Sequence, residues 1–257
     1  MEEKSKLTSR EYWGDQYEIM KKGKIFKINP NANLAVSELD KLFRKYLPID
    51  KNKRFLEVGC APGIWMDYFH RKFNYIVEGI EYTKQGFELT QINLNRAGTP
   101  NKIYNQDFFS HSLKNDYDVV FSGGFIEHFE DANDAVARHI DLLRDGGIAV
   151  IEIPNLSGWN GCIQRILNET IYKKHNVRVM NIKYFQDIGD KLNLEILYVG
   201  YVGKINFCLF QGGFLINLLL GFIQKFLTLL YLVFGKNIPI SDSDTLSPFI
   251  VAIYKKK

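Results

Sequence analysis

From Arg54 onward, short apolar runs rich in β-branched and aromatic residues alternate with stretches in which apolar positions recur every three or four residues. That alternation predicts a doubly wound α/β architecture, a mostly parallel sheet with crossover helices. The runs 55–58, 75–80, 102–104 and 117–121 predict four strands, with a helix over 83–96 between the second and third. A helix over 132–143 is expected to stop at Asp145-Gly146-Gly147, a glycine C-terminal signal, ahead of a fifth strand at 148–153 that Pro154 ends. Runs at 195–202 and 249–254 supply a sixth and a seventh strand. Upstream, Leu39, Leu42, Phe43 and Tyr46 recur at helical spacing until Pro48, which predicts a helix in the N-terminal segment.

The stretch between the last two strands is too long for a structureless loop. Within it, 214–234 reads FLINLLLGFIQKFLTLLYLVF, apolar and just long enough to cross a bilayer as a helix. Its polar members, Asn217, Gly221, Gln224, Lys225 and Thr228, fall in one stripe of an α-helix. A mid-segment lysine in such a stripe predicts a helix lying in a membrane interface, or packed against the protein, over a true span. The first option gives peripheral membrane association through 214–234, and a homodimer interface is the alternative to it. The chain is expected to be a single domain over 1–257, made of an N-terminal helical lid (1–50), a core of sheet and helices (51–202), an apolar helical insertion (203–247), and the last strand with a basic tail (248–257).

Composition narrows the partners. Hydrophobic residues at 46% and charged residues at 24% are ordinary globular values, so neither disorder nor a polytopic membrane protein is indicated. The net charge of +4 comes from 33 basic and 29 acidic residues spread along the chain, with a basic run only at Lys255, Lys256 and Lys257. No dense basic patch is interleaved with aromatics, so no nucleic-acid partner is expected. Cys60, Cys162 and Cys208 are odd in number and lack any CxxC arrangement, which fits a reducing compartment. The charged start, Met1-Glu2-Glu3-Lys4-Ser5, has no apolar run followed by a small-residue cleavage site. A cytoplasmic location is expected, at the inner face of the membrane if the insertion lies in lipid.

The chemistry starts at Phe55-Leu56-Glu57-Val58-Gly59-Cys60-Ala61-Pro62-Gly63, a strand running into a small-residue turn and then a helix from about Ile64. Small residues let a ligand approach the backbone, and a helix N-terminus offers unpaired N–H donors. A dinucleotide fingerprint would need glycine where Ala61 and Ile64 stand, which disfavours NAD. Glu81, about 20 residues beyond the turn and at the end of the second strand, can accept hydrogen bonds from both ribose hydroxyls of an adenosyl ligand. The run Phe121-Ser122-Gly123-Gly124-Phe125-Ile126-Glu127-His128-Phe129 closes the fourth strand, at the end where ligands meet open α/β sheets.

The turn resembles the first motif of the class I S-adenosylmethionine-dependent methyltransferases, acid-x-Gly-x-Gly-x-Gly, matched by Glu57, Gly59, Ala61 in place of the middle glycine, and Gly63. The resemblance implies a Rossmann-like sheet with an antiparallel last strand and S-adenosylmethionine as cofactor. It places Gly59, Cys60, Ala61 and Gly63 around the methionine part, with Glu57 meeting the amino group directly or through water. It also puts Glu81 on the ribose, Tyr82 against the adenine, Asp107 near the exocyclic amine, Phe108 beside the ring, and Ser122 and Gly123 at the end of the fourth strand. Around Glu127, His128, Glu130 and Asp131 the chain also resembles the quinone O-methyltransferases, which raises a divalent metal; the spacing is not diagnostic, and no metal is expected. More locally the same run resembles the cyclopropane fatty acid synthases, in which the equivalent acid helps hold bicarbonate.

A sulfonium methyl group is already electrophilic, so the protein has mainly to align an acceptor and remove its proton. For a hydroxyl acceptor the expected base is His128, which follows the fourth strand and can act near neutral pH. His175, in the segment 155–180 after the fifth strand, is the second catalytic candidate. Tyr12, Trp13 and Tyr17 are expected to close over the site as an aromatic lid. The bland alternative is that Glu127 and His128 only hold the loop and the helix start. The expected function is O-methylation of a small-molecule, glycan or lipid-linked acceptor. A C-methylating or lipid-modifying enzyme and a non-catalytic cofactor-binding scaffold are the alternatives.

Overall fold

The strands β1 (Arg54–Val58), β2 (Ile76–Ile80) and β4 (Tyr117–Gly123) are buried over almost their whole length. Near-continuous apolar strands of this kind require cover on both faces, as in parallel sheets. The computed structural model describes residues 6–20, 26–30, 33–204, 206–234 and 242–257. The charged start at 1–5, parts of the lid (21–25 and 31–32) and parts of the insertion (205 and 235–241), on which sequence expectations also fall, lie outside the described residues.

The seven strands run in the order β3-β2-β1-β4-β5-β7-β6, with β3 at Asn101–Tyr104, β5 at Leu143–Pro154, β6 at Glu195–Val202 and β7 at Phe249–Lys255. Strands β1 to β5 pair in parallel, and β7 pairs antiparallel with both β5 and β6. The chain leaves β1 toward β2 on one side and later returns to β4 on the other. That reversal opens a crevice at the carboxyl ends of β1 and β4, the place where open α/β sheets take their ligands.

Helices α2 (Leu34–Tyr46), α3 (Ile64–Phe73) and α4 (Lys84–Ala97) cover one face, burying Leu39, Phe43, Phe69 and Leu94 with Phe55 and Phe121 of the sheet. Helices α5 (Ala132–Asp141) and α7 (Ile182–Lys191) cover the other, burying Val136, Ile140, Phe185 and Ile188. Helix α1 (Arg10–Met20) lies against α4, where Gly14 is in close contact with Gln85.

The boundary between the fifth helix and the fifth strand departs furthest from the sequence reading. Helix α5 stops at Asp141 rather than 143, and Gly146 and Gly147 lie inside β5. The register jumps there, from Tyr117 opposite Leu143 to Val119 opposite Ile148. A Cβ on Gly147 would stand 2.9 Å from the Arg144 carbonyl and 3.0 Å from that of Tyr117, so the glycines serve a bulge and not a helix cap.

Between β6 and β7 the chain forms α8 (Phe214–Phe234). Gln164 of α6 (Gly158–Tyr172) ties down the approach to it with a reciprocal pair of bonds to the backbone of Gln211, at 2.9 and 3.0 Å. The return to β7 is held by the Asn155 amide, which donates to the carbonyls of Asp244 and Ser247, both at 2.9 Å. Helix α8 itself is turned opposite to a normal surface helix. Its polar Gln224 and Thr228 are buried, and Gln224 accepts from the N–H of Phe207 at 2.7 Å. Phe214, Leu215, Leu218, Leu219, Phe222, Phe226 and Leu229 face outward, each half or more exposed. Lys225 and Asn217 do not share the buried stripe; both are exposed, at its border and near its start. This helix is long and apolar enough to cross a membrane by length and composition.

Candidate active site

The turn after β1 is tied to the end of β2 by bonds from the N–H groups of Gly59 and Cys60 to the Ile80 carbonyl, at 3.0 and 3.2 Å. This brings the turn beside Glu81, which follows β2 directly. Gly59 has φ +67°, and a Cβ there would stand 2.8 Å from the Phe125 ring, so only glycine leaves room between loop and ring. Glu81 is 3% exposed, and its Oε1 accepts from the N–H and the hydroxyl of Thr83 at 2.8 and 2.6 Å. Burial raises the proton affinity of this carboxyl, against the pull of Thr83 and the nearby amides of Ala61 and Tyr82.

Between these groups lies a cavity of about 220 Å³ at the crevice. Gly59, Ala61, Glu81, Tyr82, Asp107, Phe108, Gly123 and His128 all stand in its wall. Trp13 and Tyr17 of α1 roof it, and Trp13 meets His128 edge to face with centroids 5.1 Å apart. Tyr12 stands apart from the roof and instead carries the Lys174 ammonium 3.1 Å above its ring centre.

Five of the anticipated site residues lie outside this wall. Glu57 turns away and accepts from the Met66 N–H at 2.9 Å. The reason is local: Gly63 is the N-cap of α3 and has no side chain to cap with, so Glu57 supplies the acceptor. Gly63, at φ +84°, lets α3 approach α4, since a Cβ would stand 2.9 Å from Thr90 Cγ2. Cys60 is buried beneath the loop against Gly79, which pushes its thiol well up. Ser122 is buried with its hydroxyl unpartnered. His175 lines a second, smaller cavity with Gln164, Leu209, Gln211 and Phe249.

Residues 31–199 match the family model described as "Methyltransferase domain", which is well over half the chain. The chain is a class I S-adenosylmethionine-dependent methyltransferase. The fold of this methyltransferase is also similar to that of a putative sarcosine dimethylglycine methyltransferase from Galdieria sulphuraria (TM-score 0.62, 13% identity, 95% of this chain and 98% of that one). It is similar to a geranyl diphosphate C-methyltransferase from Streptomyces coelicolor (TM-score 0.57, 12% identity, 86% and 79%), crystallised with Mg2+, geranyl diphosphate and S-adenosyl-L-homocysteine. A phosphoethanolamine N-methyltransferase from Haemonchus contortus, bound to S-adenosyl-L-methionine, matches with TM-score 0.57 and 16% identity over 86% of this chain and 52% of that one. No sequence among the curated proteins matches.

In the methyltransferase two wall features had no sequence signal. Lys6 pairs with Asp107 Oδ2 at 2.8 Å from a position 101 residues away. The other Asp107 oxygen takes the Phe109 N–H at 2.9 Å. Burial raises the Asp107 carboxyl, but Lys6 and this amide outweigh it, and the net shift is downward. Phe125 carries the second feature, its ring closing on Gly59.

Glu152 of β5, paired in register with Gly123, sits 3.0 Å from where a Gly123 Cβ would be, and burial pushes it up to about 8. A carboxyl raised in the folded state favours folding below its ordinary range near 4.5, and that contribution is lost as pH rises through about 8. Glu152→Gln removes the loss. The variant is expected to melt close to wild type at pH 5 and to gain about 1–3 kcal/mol, or several degrees, at pH 9. Thermal scans at both pH values check this, and a gap that does not widen with pH would contradict the assigned burial cost.

Proposed function

We propose that this methyltransferase methylates an oxygen of a small-molecule, glycan or lipid-linked acceptor, with His128 taking the acceptor's proton. The observation that carries the reading is the state of His128 on the cavity wall. Its Nδ1 lies 2.9 Å from the Lys174 carbonyl, which can only accept, so the proton is on Nδ1 and Nε2 keeps its lone pair. Burial, with His175 and Lys174 nearby, pushes the ring down to about 3, so it is neutral at physiological pH and a weaker base than the near-neutral one expected from the sequence. Glu127 Oε1 stands 3.6 Å from Nε2, and burial, with Glu152 nearby, pushes that carboxyl well up, so it favours its neutral form beside the ring.

Gly59, Ala61, Glu81, Tyr82, Asp107, Phe108 and Gly123 are the residues that hold the cofactor in this reading, all on one cavity wall. When bound, S-adenosylmethionine supplies an electrophilic methyl group on sulfur. Glu81 accepts from hydroxyls, Tyr82 and Phe108 offer ring faces, and Trp13 and Tyr17 exclude water. His128→Ala is expected to lower kcat by roughly 10²–10⁴-fold while the cofactor Kd stays within about two-fold. Turnover assays beside calorimetry test it; a matching loss of cofactor affinity would instead make His128 part of the binding wall.

The chain is read as a single domain in which 203–247 is an insertion. Its outward apolar face supports peripheral attachment of α8 to a membrane surface, with the polar side on the protein. Acceptors would then be met at the cytoplasmic face of that membrane. Incubating separated membrane and soluble extracts with isotopically labelled cofactor tests the substrate class. Label in an organic-extractable product of the membrane fraction is expected, and label confined to soluble metabolites would remove the lipid-linked option.

A further inference from the structure

Glu127 is 1% exposed, and neither of its carboxylate oxygens has a hydrogen-bond partner. Buried polar groups are almost always satisfied, so an orphaned carboxylate calls for a partner that protein atoms do not supply. Two imidazoles stand beside it. His175 Nδ1 lies 2.8 Å from the Ile171 carbonyl, so, as in His128, the proton is on Nδ1 and the Nε2 lone pair is free. The two rings lie 4.8 Å apart, centroid to centroid. One donor atom from each of the three residues falls within 4.8 Å of the others.

We propose that Glu127, His128 and His175 form a binding site for a divalent first-row transition cation such as Zn2+, Mn2+ or Fe2+. Two imidazoles and one carboxylate suit these ions, whereas Mg2+ and Ca2+ prefer shells made of oxygen. The carbonyls of Lys174 and Ile171 fix both tautomers, which is how metal-binding histidines are usually oriented. Ligands about 2.0–2.2 Å from one ion stand at most about 4.4 Å apart, so loading draws the trio inward slightly. The backbone is already braced for this: Asn176 N–H donates to the Glu127 carbonyl at 2.6 Å and Leu7 N–H to the His128 carbonyl at 2.8 Å. The Lys174 ammonium works against a second positive charge nearby, but it lies over the Tyr12 ring. Glu130 and Asp131, adjacent in sequence, take no part; both are exposed, and Asp131 caps α5.

The trio joins the two cavities, since His128 lines the first and His175 the second. The site deepens the O-methylation reading and in one respect rests on it: an acceptor oxygen bound at an open coordination position ionises more readily than a free one. With Nε2 on the cation His128 would no longer be the base: the cation would lower the pKa of the bound acceptor oxygen, and its proton would leave to solvent.

The test uses the full-length protein, stripped with a chelator and dialysed. Co2+ is titrated with visible absorption as the readout, and Zn2+ by calorimetry. Saturable binding of one equivalent is expected. Glu127→Gln and His175→Ala should each weaken it by more than the about 10–100-fold that follows loss of an orienting group. His70→Ala, outside the cluster, should leave it unchanged, and S-adenosylmethionine affinity in every variant reports an intact fold. No saturable binding to the wild type, or equal binding by Glu127→Gln and His175→Ala, overturns the site and leaves His128 acting through its own lone pair. Intact metal binding with no oxygen-methylated product in labelled extracts would retain the site and remove the O-methylation reading.

Discussion

Glu81→Ala is expected to weaken S-adenosylmethionine binding by on the order of a hundred-fold, the loss of about 3 kcal/mol from two hydrogen bonds to a charged acceptor. Glu81 stands in the wall shared with the small-residue turn, and its position is over-determined by the N–H and hydroxyl of Thr83. Thr83 is also the N-cap of α4, accepting from the Gly86 N–H at 3.0 Å. Alanine therefore removes both a ligand acceptor and a brace on the helix start, and a modest fall in Tm is expected with it. Glu81→Gln separates the two effects, because its carbonyl oxygen can still take the Thr83 donors while the charge is gone. About a ten-fold loss of affinity with near-native Tm is expected there. Isothermal calorimetry on both variants decides the point: cofactor affinity within about three-fold of wild type in Glu81→Ala would remove this carboxyl from the binding site.

The second large effect concerns α8. Replacing Leu219 and Phe226 together by glutamate should release the protein from anionic vesicles, with binding reduced on the order of a hundred-fold or more. Each side chain is about 60% exposed in the protein and would contribute roughly 1.5–3 kcal/mol if transferred into acyl chains. A charge in their place adds a further penalty. Neither side chain supports the fold, so melting temperature and cofactor affinity should not change. Vesicle flotation and analytical ultracentrifugation read together distinguish the occupants of this face. Release from vesicles supports membrane attachment, whereas unaltered vesicle association with loss of a dimer would assign the face to a second copy of the chain.

Which parts of this were legible in the sequence follows from what each signal encodes. Strand-turn-helix punctuation at 54–64 is local, and so was the position of Glu81 at a strand end. Which side of a strand faces a cavity is not local. Glu57 resembles a ligand-facing acid, yet it faces the start of α3, because the glycine that makes the turn leaves that helix without a capping side chain. Gly146 and Gly147 have the composition of a helix stop and the geometry of a bulge, and only the pairing with Tyr117 and Lys256 distinguishes the two. Lys6 beside Asp107 and His175 beside His128 are products of tertiary closure, carried by no periodicity. For α8 the polar stripe could be read, but not that its Gln224 and Thr228 would be spent on the protein's own backbone and the apolar side left outward.

The placement of β7 between β5 and β6 bears on how the molecule is made. Strand β6 is synthesised well before the strand it pairs with, and its antiparallel partners from Phe249 to Lys255 emerge only after α8. On the ribosome, β1 to β5 and their crossover helices can assemble as soon as residue 154 is clear, while β6 waits with an unpaired edge. Unpaired edges are sticky. The nascent chain thus exposes an open strand and a greasy helix in the same interval, and that interval is when a chaperone or a nearby bilayer would have most to shield.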